Sequence, residues 1–327
     1  PYPPGGGTDI LARTLGQKLN ERFGQPAIVE NRAGANGTVG AAFVAKSPPD
    51  GHTMLIVPAG YAANPSLYKN LPFDQARELA PVSHIASGPL VLVVHPSLPV
   101  KNVKELITLA KTQPGALNIG SAGNGSLPHL SAELFNSMAG TKIVHIPFKG
   151  SGAAVIDVLS GQVPIYFMNV LQSLPLIKSG KLRPLGVSSP QRSPIAPELP
   201  SIAESGLKGF DMTNWYGLLV QGGTPRDVIS KLQQETARIL NLDEFDRIDT
   251  AKWIEKVHPG DSKAVQLAWE KALAGGLPDR ELFRRFVGSG EYRYRHRIRP
   301  AFPTMAWADA VKALAKKVQG RRPAMMK

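Results

Sequence analysis

The 327-residue chain has no cysteine, which removes disulfide bonds, thiolate nucleophiles and cysteine-ligated metals from consideration. No stretch approaches the roughly 18 consecutive apolar residues of a membrane-spanning helix. Its seven histidines (His52, His84, His95, His129, His145, His258 and His296) include no pair four apart, the spacing of a helical metal site. Nucleotide fingerprints are missing as well. Gly123-Asn124-Gly125-Ser126-Leu127-Pro128 puts proline where a dinucleotide loop needs its third glycine, and no Walker-type Gly-Lys-Ser/Thr ending occurs. A hydrolase elbow fails because Ile119 and Lys149, not glycines, stand two residues before Ser121 and Ser151. No cofactor, no metal and no enzymatic turnover are therefore expected.

What is present is an ordinary globular composition, 43% hydrophobic with 32 glycines and 29 prolines, in a chain long enough for two lobes. The net charge of +13 resembles a nucleic-acid signal until it is divided along the chain. Residues 258–327 hold 15 Lys and Arg against 6 Asp and Glu, whereas residues 1–257 hold 23 against 19. The basicity belongs to the tail, and no nucleic-acid partner is expected for the body of the chain. Lack of cysteine suits the periplasm and the cytosol alike, so it does not choose a compartment.

Short β-forming runs alternate with helical patterns up to Asn241, the signature of a largely parallel sheet flanked by helices. Leu11, Leu15, Leu19 and Phe23 define one face of a helix over residues 8–23. Strands are expected at 27–30, 53–58, 89–95, 117–120, 142–146, 164–168 and 182–187. Asn102-Val103-Lys104-Glu105 reads as a capping box for a helix continuing to Lys111. The run 88–99 and the run 215–221 read as two crossings between lobes, which gives residues 1–98 with 222–257 as lobe one and 99–221 as lobe two. A helix is expected over 243–257, followed by the atypical basic tail 258–327, for which disorder is one reading.

Three glycine-rich loops stand before helical segments: Pro3-Pro4-Gly5-Gly6-Gly7-Thr8-Asp9, Gly120-Ser121-Ala122-Gly123-Asn124-Gly125-Ser126 and Phe148-Lys149-Gly150-Ser151-Gly152. Each would offer unpaired N–H groups and the positive end of a helix dipole to an anion, and a carboxylate is a natural guest. Taken singly, each is more often a tight turn with a helix cap, and it is the three together that favour a ligand. His129 could donate to a carboxylate or simply cap and pack its helix. Lys149 could supply a cation or be a solvated loop lysine, and Asp9 could fix the first loop or stabilise its own helix.

These loops, with Glu30-Asn31-Arg32-Ala33-Gly34-Ala35-Asn36-Gly37, Val44–Thr53, Asn64-Pro65-Ser66-Leu67-Tyr68 and Pro147-Phe148-Lys149-Gly150, resemble the solute-binding receptors of tripartite tricarboxylate transporters, often called the Bug family. The resemblance runs over residues 1–257, with an apparent internal deletion near 241–243, and leaves 258–327 unmatched. The tail is read as out-of-frame or read-through sequence in preference to a basic arm for nucleic acid or anionic lipid. The chain enters at the end of what should be the first strand, with the leader outside it, so a weakened first lobe is expected.

The resemblance implies a type II periplasmic-binding-protein fold, α/β, with two lobes joined by two crossover strands. It implies a periplasmic, monomeric protein that captures a small mono- or dicarboxylate and passes it to the membrane components of the transporter. The ligand-binding residues it suggests are Gly6, Gly7, Thr8 and Asp9 of the first loop, and Ser121, Gly123, Asn124, Gly125, Ser126 and His129 of the serine-glycine loop. To these are added Ala59 and Gly60, Lys149 and Gly150, and Asn169. The rival readings are an α/β enzyme acting on an acidic substrate and a nucleic-acid binder working through its tail.

Overall fold

The protein is represented by a computed structural model that describes residues 1–240. The helix expected over 243–257, the apparent deletion near 241–243 and the tail 258–327 lie outside the described residues. Helix α1 (Gly7–Phe23) is followed by a 3-10 turn (Ala35–Gly37), α2 (Thr38–Ala45), β1 (Met54–Pro58), a second 3-10 turn (Ala59–Ala63), α3 (Asn64–Leu67) and β2 (Leu79–Gly88). Then come β3 (Leu90–Val94), α4 (Val103–Thr112), β4 (Asn118–Ser121), α5 (Leu127–Ala139), β5 (Val144–Pro147), α6 (Ser151–Leu159) and β6 (Ile165–Asn169). The described chain closes with α7 (Val170–Lys178), β7 (Arg183–Val187), β8 (Asn214–Gln221) and α8 (Arg226–Ile239).

Two sheets form. The first has the order β1-β8-β2 and is antiparallel throughout; the second has the order β5-β4-β6-β3-β7. Between the named strands parallel pairing is confined to β4 with its neighbours β5 and β6, and β3 runs antiparallel to both β6 and β7. The expected largely parallel sheet is thus realised only where α5 and α6 return the chain over β4, β5 and β6, because parallel neighbours need such crossovers. Strand β3 enters its sheet directly from β2 and so runs against them.

Sheet membership differs from the ranges read from sequence at two strands. Strand β3 belongs to the five-stranded sheet although it precedes residue 99, and β8 belongs to the three-stranded sheet although it precedes residue 222. The chain changes sheets at Pro89 and again between Ser188 and Asn214. Two expectations about strands also change. Residues 27–30 form no ladder among the described residues; Ala27 and Val29 lie against Gly16 of α1, and Ile28 is 88% exposed. Strand β2 went unexpected because Pro81 and two register shifts, at Pro81/Ser83 and His84/Ala86, break its alternation. Bulges are where a strand tolerates proline.

The core explains the continuous apolar run of β3. Leu90, Leu92 and Val94 face one cluster with α4 and α5, while Val91 and Val93 face another with α6 and Val170. A strand buried on both faces shows no alternation. In the first cluster Phe135, Phe167 and Phe210 pack with ring centroids 6.0–6.5 Å apart. Helix α4 begins with a variant of its capping box: Asn102 Oδ1 accepts from Glu105 N, while the Glu105 carboxylate accepts from Asn102 Nδ2 and from Lys101 N, one residue before the cap.

One hydroxyl joins the two crossings. Ser188, fully buried, accepts from Leu90 N at 2.9 Å and donates to Met212 O at 2.8 Å. Its own main chain repeats the tie, with Ser188 N donating to Leu90 O and Met212 N to Ser188 O, both at 2.8 Å. Ser188→Ala would leave the buried Leu90 N–H without its acceptor, at a cost of about 1–3 kcal/mol. Urea denaturation should show a lower midpoint with an unchanged slope; an unchanged midpoint would dismiss the tie as energetically idle.

Candidate functional site

Four helices start at the cleft between the sheets. At α1 the N-cap is Gly6, at α5 Ser126 and at α6 Gly150, and none of the three supplies a side-chain cap. Helix α7 differs, since Asn169 Oδ1 accepts from Leu171 N at 2.9 Å. The first N–H groups of a helix have no partner within it, and each helix start carries about half a positive charge. Three such starts without side-chain caps therefore meet around one space.

Close contacts show how tightly they meet. A Cβ added at Gly6 would lie 3.6 Å from Ser151 Cβ, and one at Gly150 would strike Pro3 Cγ at 2.7 Å. The first loop thus lies on the start of α6. At Gly7 an added Cβ would meet Tyr216 Oη at 2.6 Å and Asn169 Nδ2 at 2.9 Å. Those two groups are bonded to each other at 2.6 Å, joining β8 to the end of β6. A Cβ at Gly60 would lie 2.7 Å from Leu127 N. Glycine at positions 7 and 60 is therefore a requirement of close approach across the cleft.

The first loop is braced by Asp9. Its Oδ2 accepts from Gly5 N and Arg13 Nε, and its Oδ1 accepts from Asn31 Nδ2 and pairs with Arg13. Burial alone would raise this carboxyl, but the donors of Arg13, Gly5 and Asn31 outweigh it and hold it below its usual range. Asp9 thus fixes its own loop, with Arg13 and Asn31 as supports that carry no independent signal in the sequence. Thr8 is half-buried, and its hydroxyl has no partner among the described residues.

The serine-glycine loop is folded on itself. Ser121 Oγ accepts from Gly123 N at 3.1 Å and lies 2.6 Å from His145 Nε2. Ser126 donates from both its N and Oγ to Gly123 O. Gly125 N donates to His129 Nδ1 at 3.0 Å, which fixes that nitrogen as the acceptor and puts the proton of the neutral ring on Nε2. His129 is 3% exposed and stacks on His145 at 3.7 Å, so it serves the loop from beneath. The N–H groups of Asn124 and Leu127 have no acceptor among the described residues, and the Asn124 side chain is exposed.

The remaining expected residues divide. Ala59 N donates to Asn214 Oδ1 at 3.2 Å, tying the second 3-10 turn to β8. Lys149 is exposed and makes no ion pair among the described residues. Burial raises the Tyr216 hydroxyl well above its ordinary value, keeping it neutral, and pushes Tyr166 up to about 12. Among the described residues no group of three His, Asp or Glu side chains could hold a metal, and no helix is long and apolar enough to cross a membrane. Tyr216 went unrecognised in the sequence because its place at the cleft depends on β8 pairing between β1 and β2.

The model of the tripartite tricarboxylate transporter family receptor matches residues 11–274, extending past residue 257 where the sequence resemblance was drawn to end. Protein BugT of Bordetella pertussis is 39% identical over 236 residues, 72% of this chain and 72% of that protein. The structure of R. palustris Rpa4515 with adipate is 34% identical with a TM-score of 0.73, covering 84% of this chain and 95% of that one. MatC from Rhodopseudomonas palustris with bound malate is 26% identical with a TM-score of 0.72, covering 95% and 96%. These likenesses agree with the type II periplasmic-binding arrangement of two lobes and two crossing strands.

Asp9→Asn should destabilise the chain by about 1–3 kcal/mol at pH 7, since an amide cannot accept on both sides. The folded Asp9 carboxyl is depressed, so its contribution is full above the unfolded value of about 3.9 and is lost as pH falls through the folded value. Melting curves from pH 7 to 3 should therefore show a shallower acid-side loss in the variant, and identical curves would remove Asp9 as the brace.

Proposed function

The chain belongs to the receptor family of tripartite tricarboxylate transporters, a family of solute-binding receptors and not of enzymes, and from that premise we propose that it captures a small mono- or dicarboxylate by lobe closure. The observation that carries the reading is the meeting of three helix starts without side-chain caps, α1 from one side of the cleft and α5 and α6 from the other. Their free N–H groups are donors that an anion satisfies. Bonds from N–H to an ionised oxygen are roughly twice as strong as neutral ones, and closure strengthens them by excluding water.

Gly6, Gly7 and Thr8 would present the α1 donors, and Asn124 with Leu127 those of α5, with Gly150 admitting the first loop beside α6. Asp9, Ser121, Gly123, Gly125, Ser126 and His129 would hold these donors in place. Lys149 would add only long-range attraction from the surface. Ala59, Gly60 and Asn169, with Tyr216, would form the walls that sort ligands by length and polarity. The adipate and malate held by the two similar structures are both dicarboxylates, which favours that class here. Delivery would be to the membrane components of the same type of transporter, from the periplasm, by a monomer.

The Ser121–His145 contact of 2.6 Å has the form of a nucleophile–base pair, but Ser121 is fully buried and already engaged by Gly123. Binding without turnover is the stronger reading. A thermal-shift screen against organic acids, with amino acids, sugars and nucleotides as controls, tests it. A ligand at about a hundred times its Kd stabilises by about 2.7 kcal/mol. One or a few carboxylates should raise the melting temperature and be recovered unchanged, while a cooperative melt that no acid moves would refute the proposal. In Gly60→Ala, where the new Cβ would strike Leu127 N, the melt should persist and the acid-induced rise should shrink.

A further inference from the structure

Asn36 is one of two non-glycine residues with positive φ among the described residues, at φ 49° and ψ 41°; its neighbour Ala35 is the other at φ 43°. Non-glycine residues adopt this region at a cost, and they do so where the surroundings hold them for a reason. Here the backbone aims the Asn36 carboxamide across the cleft. Its Nδ2 lies 2.8 Å from Asn64 Oδ1, 3.1 Å from Gly60 O and 3.1 Å from Gly125 O. Asn64 and Gly60 are on its own side of the cleft, and Gly125 belongs to the serine-glycine loop on the other.

All three neighbours are acceptors, so the nitrogen assignment follows from chemistry. An amide nitrogen carries two hydrogens, yet three oxygens surround it. When the lobes part, Gly125 O leaves and two acceptors remain for two hydrogens. The Asn36 main chain is held on the first lobe: Asn64, fully buried, donates to the Asn36 carbonyl oxygen at 3.1 Å, and Tyr2 Oη donates to the same oxygen at 3.1 Å. The donor keeps its two bonds in both states, so the difference lies with the acceptor: closure takes Gly125 O out of water, and Asn36 supplies the bond it then needs.

We propose that Asn36 is a cross-cleft latch, donating to Gly125 O in the closed state and falling back on Gly60 O and Asn64 Oδ1 in the open one, and so setting the open–closed balance of the ligand-free protein. It acts on the same loop whose end, at Leu127, offers an uncapped N–H, so the latch also presents that loop to the first lobe. A second bond, Gln172 Nε2 to Gly5 O at 3.2 Å, crosses the cleft elsewhere and is left intact by any change at Asn36. The latch does not depend on what the ligand is.

The absence of cysteine makes the test clean: single cysteines at exposed Lys18 of α1 and Lys111 of α4 take spin labels with no background site. Distances between them are measured in the full chain without ligand, in the parent, in Asn36→Gly and in Asn36→Ser. Glycine relieves the positive-φ strain and serine keeps a polar side chain too short to span the cleft. Both should melt cooperatively while the closed-to-open ratio falls about three- to tenfold, the worth of one neutral hydrogen bond. Distance distributions equal to the parent's would overturn the latch. Loss of cooperative melting in both variants would overturn it too, because Asn36 would then be a determinant of the fold. The measurement uses no acid, so its outcome is separate from that of the carboxylate reading.

Discussion

The rest of the site depends on the backbone donors left over where a helix begins. An α-helix cannot satisfy its first N–H groups from within, and a structure must cap them, wet them or give them a ligand. At two of the eight described α-helices a side chain solves the problem, Asn102 for α4 and Asn169 for α7. At α1 and α6 the cap position is glycine, and at α5 the Ser126 hydroxyl is turned back onto Gly123 O. Six of the described α-helices begin without a side-chain cap, and three of them, α1, α5 and α6, are brought to the same cleft. The side chains around them serve that arrangement: Asp9, Arg13 and Asn31 fix one loop, and Ser121, His129 and His145 fix another.

On the proposed reading, two sheets must move as units for such donors to close on one anion. The crossings at Pro89 and between Ser188 and Asn214 provide the joint. Ser188 holds one crossing to the other, and Asn214 links the second crossing to the turn that carries Gly60. The cleft is then spanned by contacts of different kinds: Asn169 with Tyr216, Gln172 with Gly5, and Asn36 with Gly125.

Much of this was legible in the sequence wherever the signal is local. The β3 run, the Asn102 cap, the α1 face as far as Leu19 and all three glycine loops stand where residue type and spacing place them, whereas Phe23, read on the same face, is 40% exposed. The misses share a cause, which is dependence on distant chain. Strand β2 hides behind Pro81 and its bulges, and the sheet to which β3 or β8 belongs is decided by partners far away in sequence. Asn36 and Gly125 are separated by 89 residues, and Leu90 and Ser188 by 98. Nothing near Ser188 or Asn36 in the chain announces either contact. The motif that holds His129 is visible in the sequence, but whether such a residue touches a ligand or supports the loop is set by side-chain direction, which spacing does not fix.

The glycine at the start of α1 has a consequence for how such a receptor diversifies. A site whose donors are main-chain groups has no gene-encoded functional group to delete, since every residue except proline contributes the same N–H. Damage comes instead from addition: a methyl at Gly7 or Gly60 intrudes where atoms already lie within 2.6–2.7 Å. On the proposed reading, mutation is therefore free to rework the walls, changing ligand length and polarity, while the grip on the anionic head is inherited unaltered.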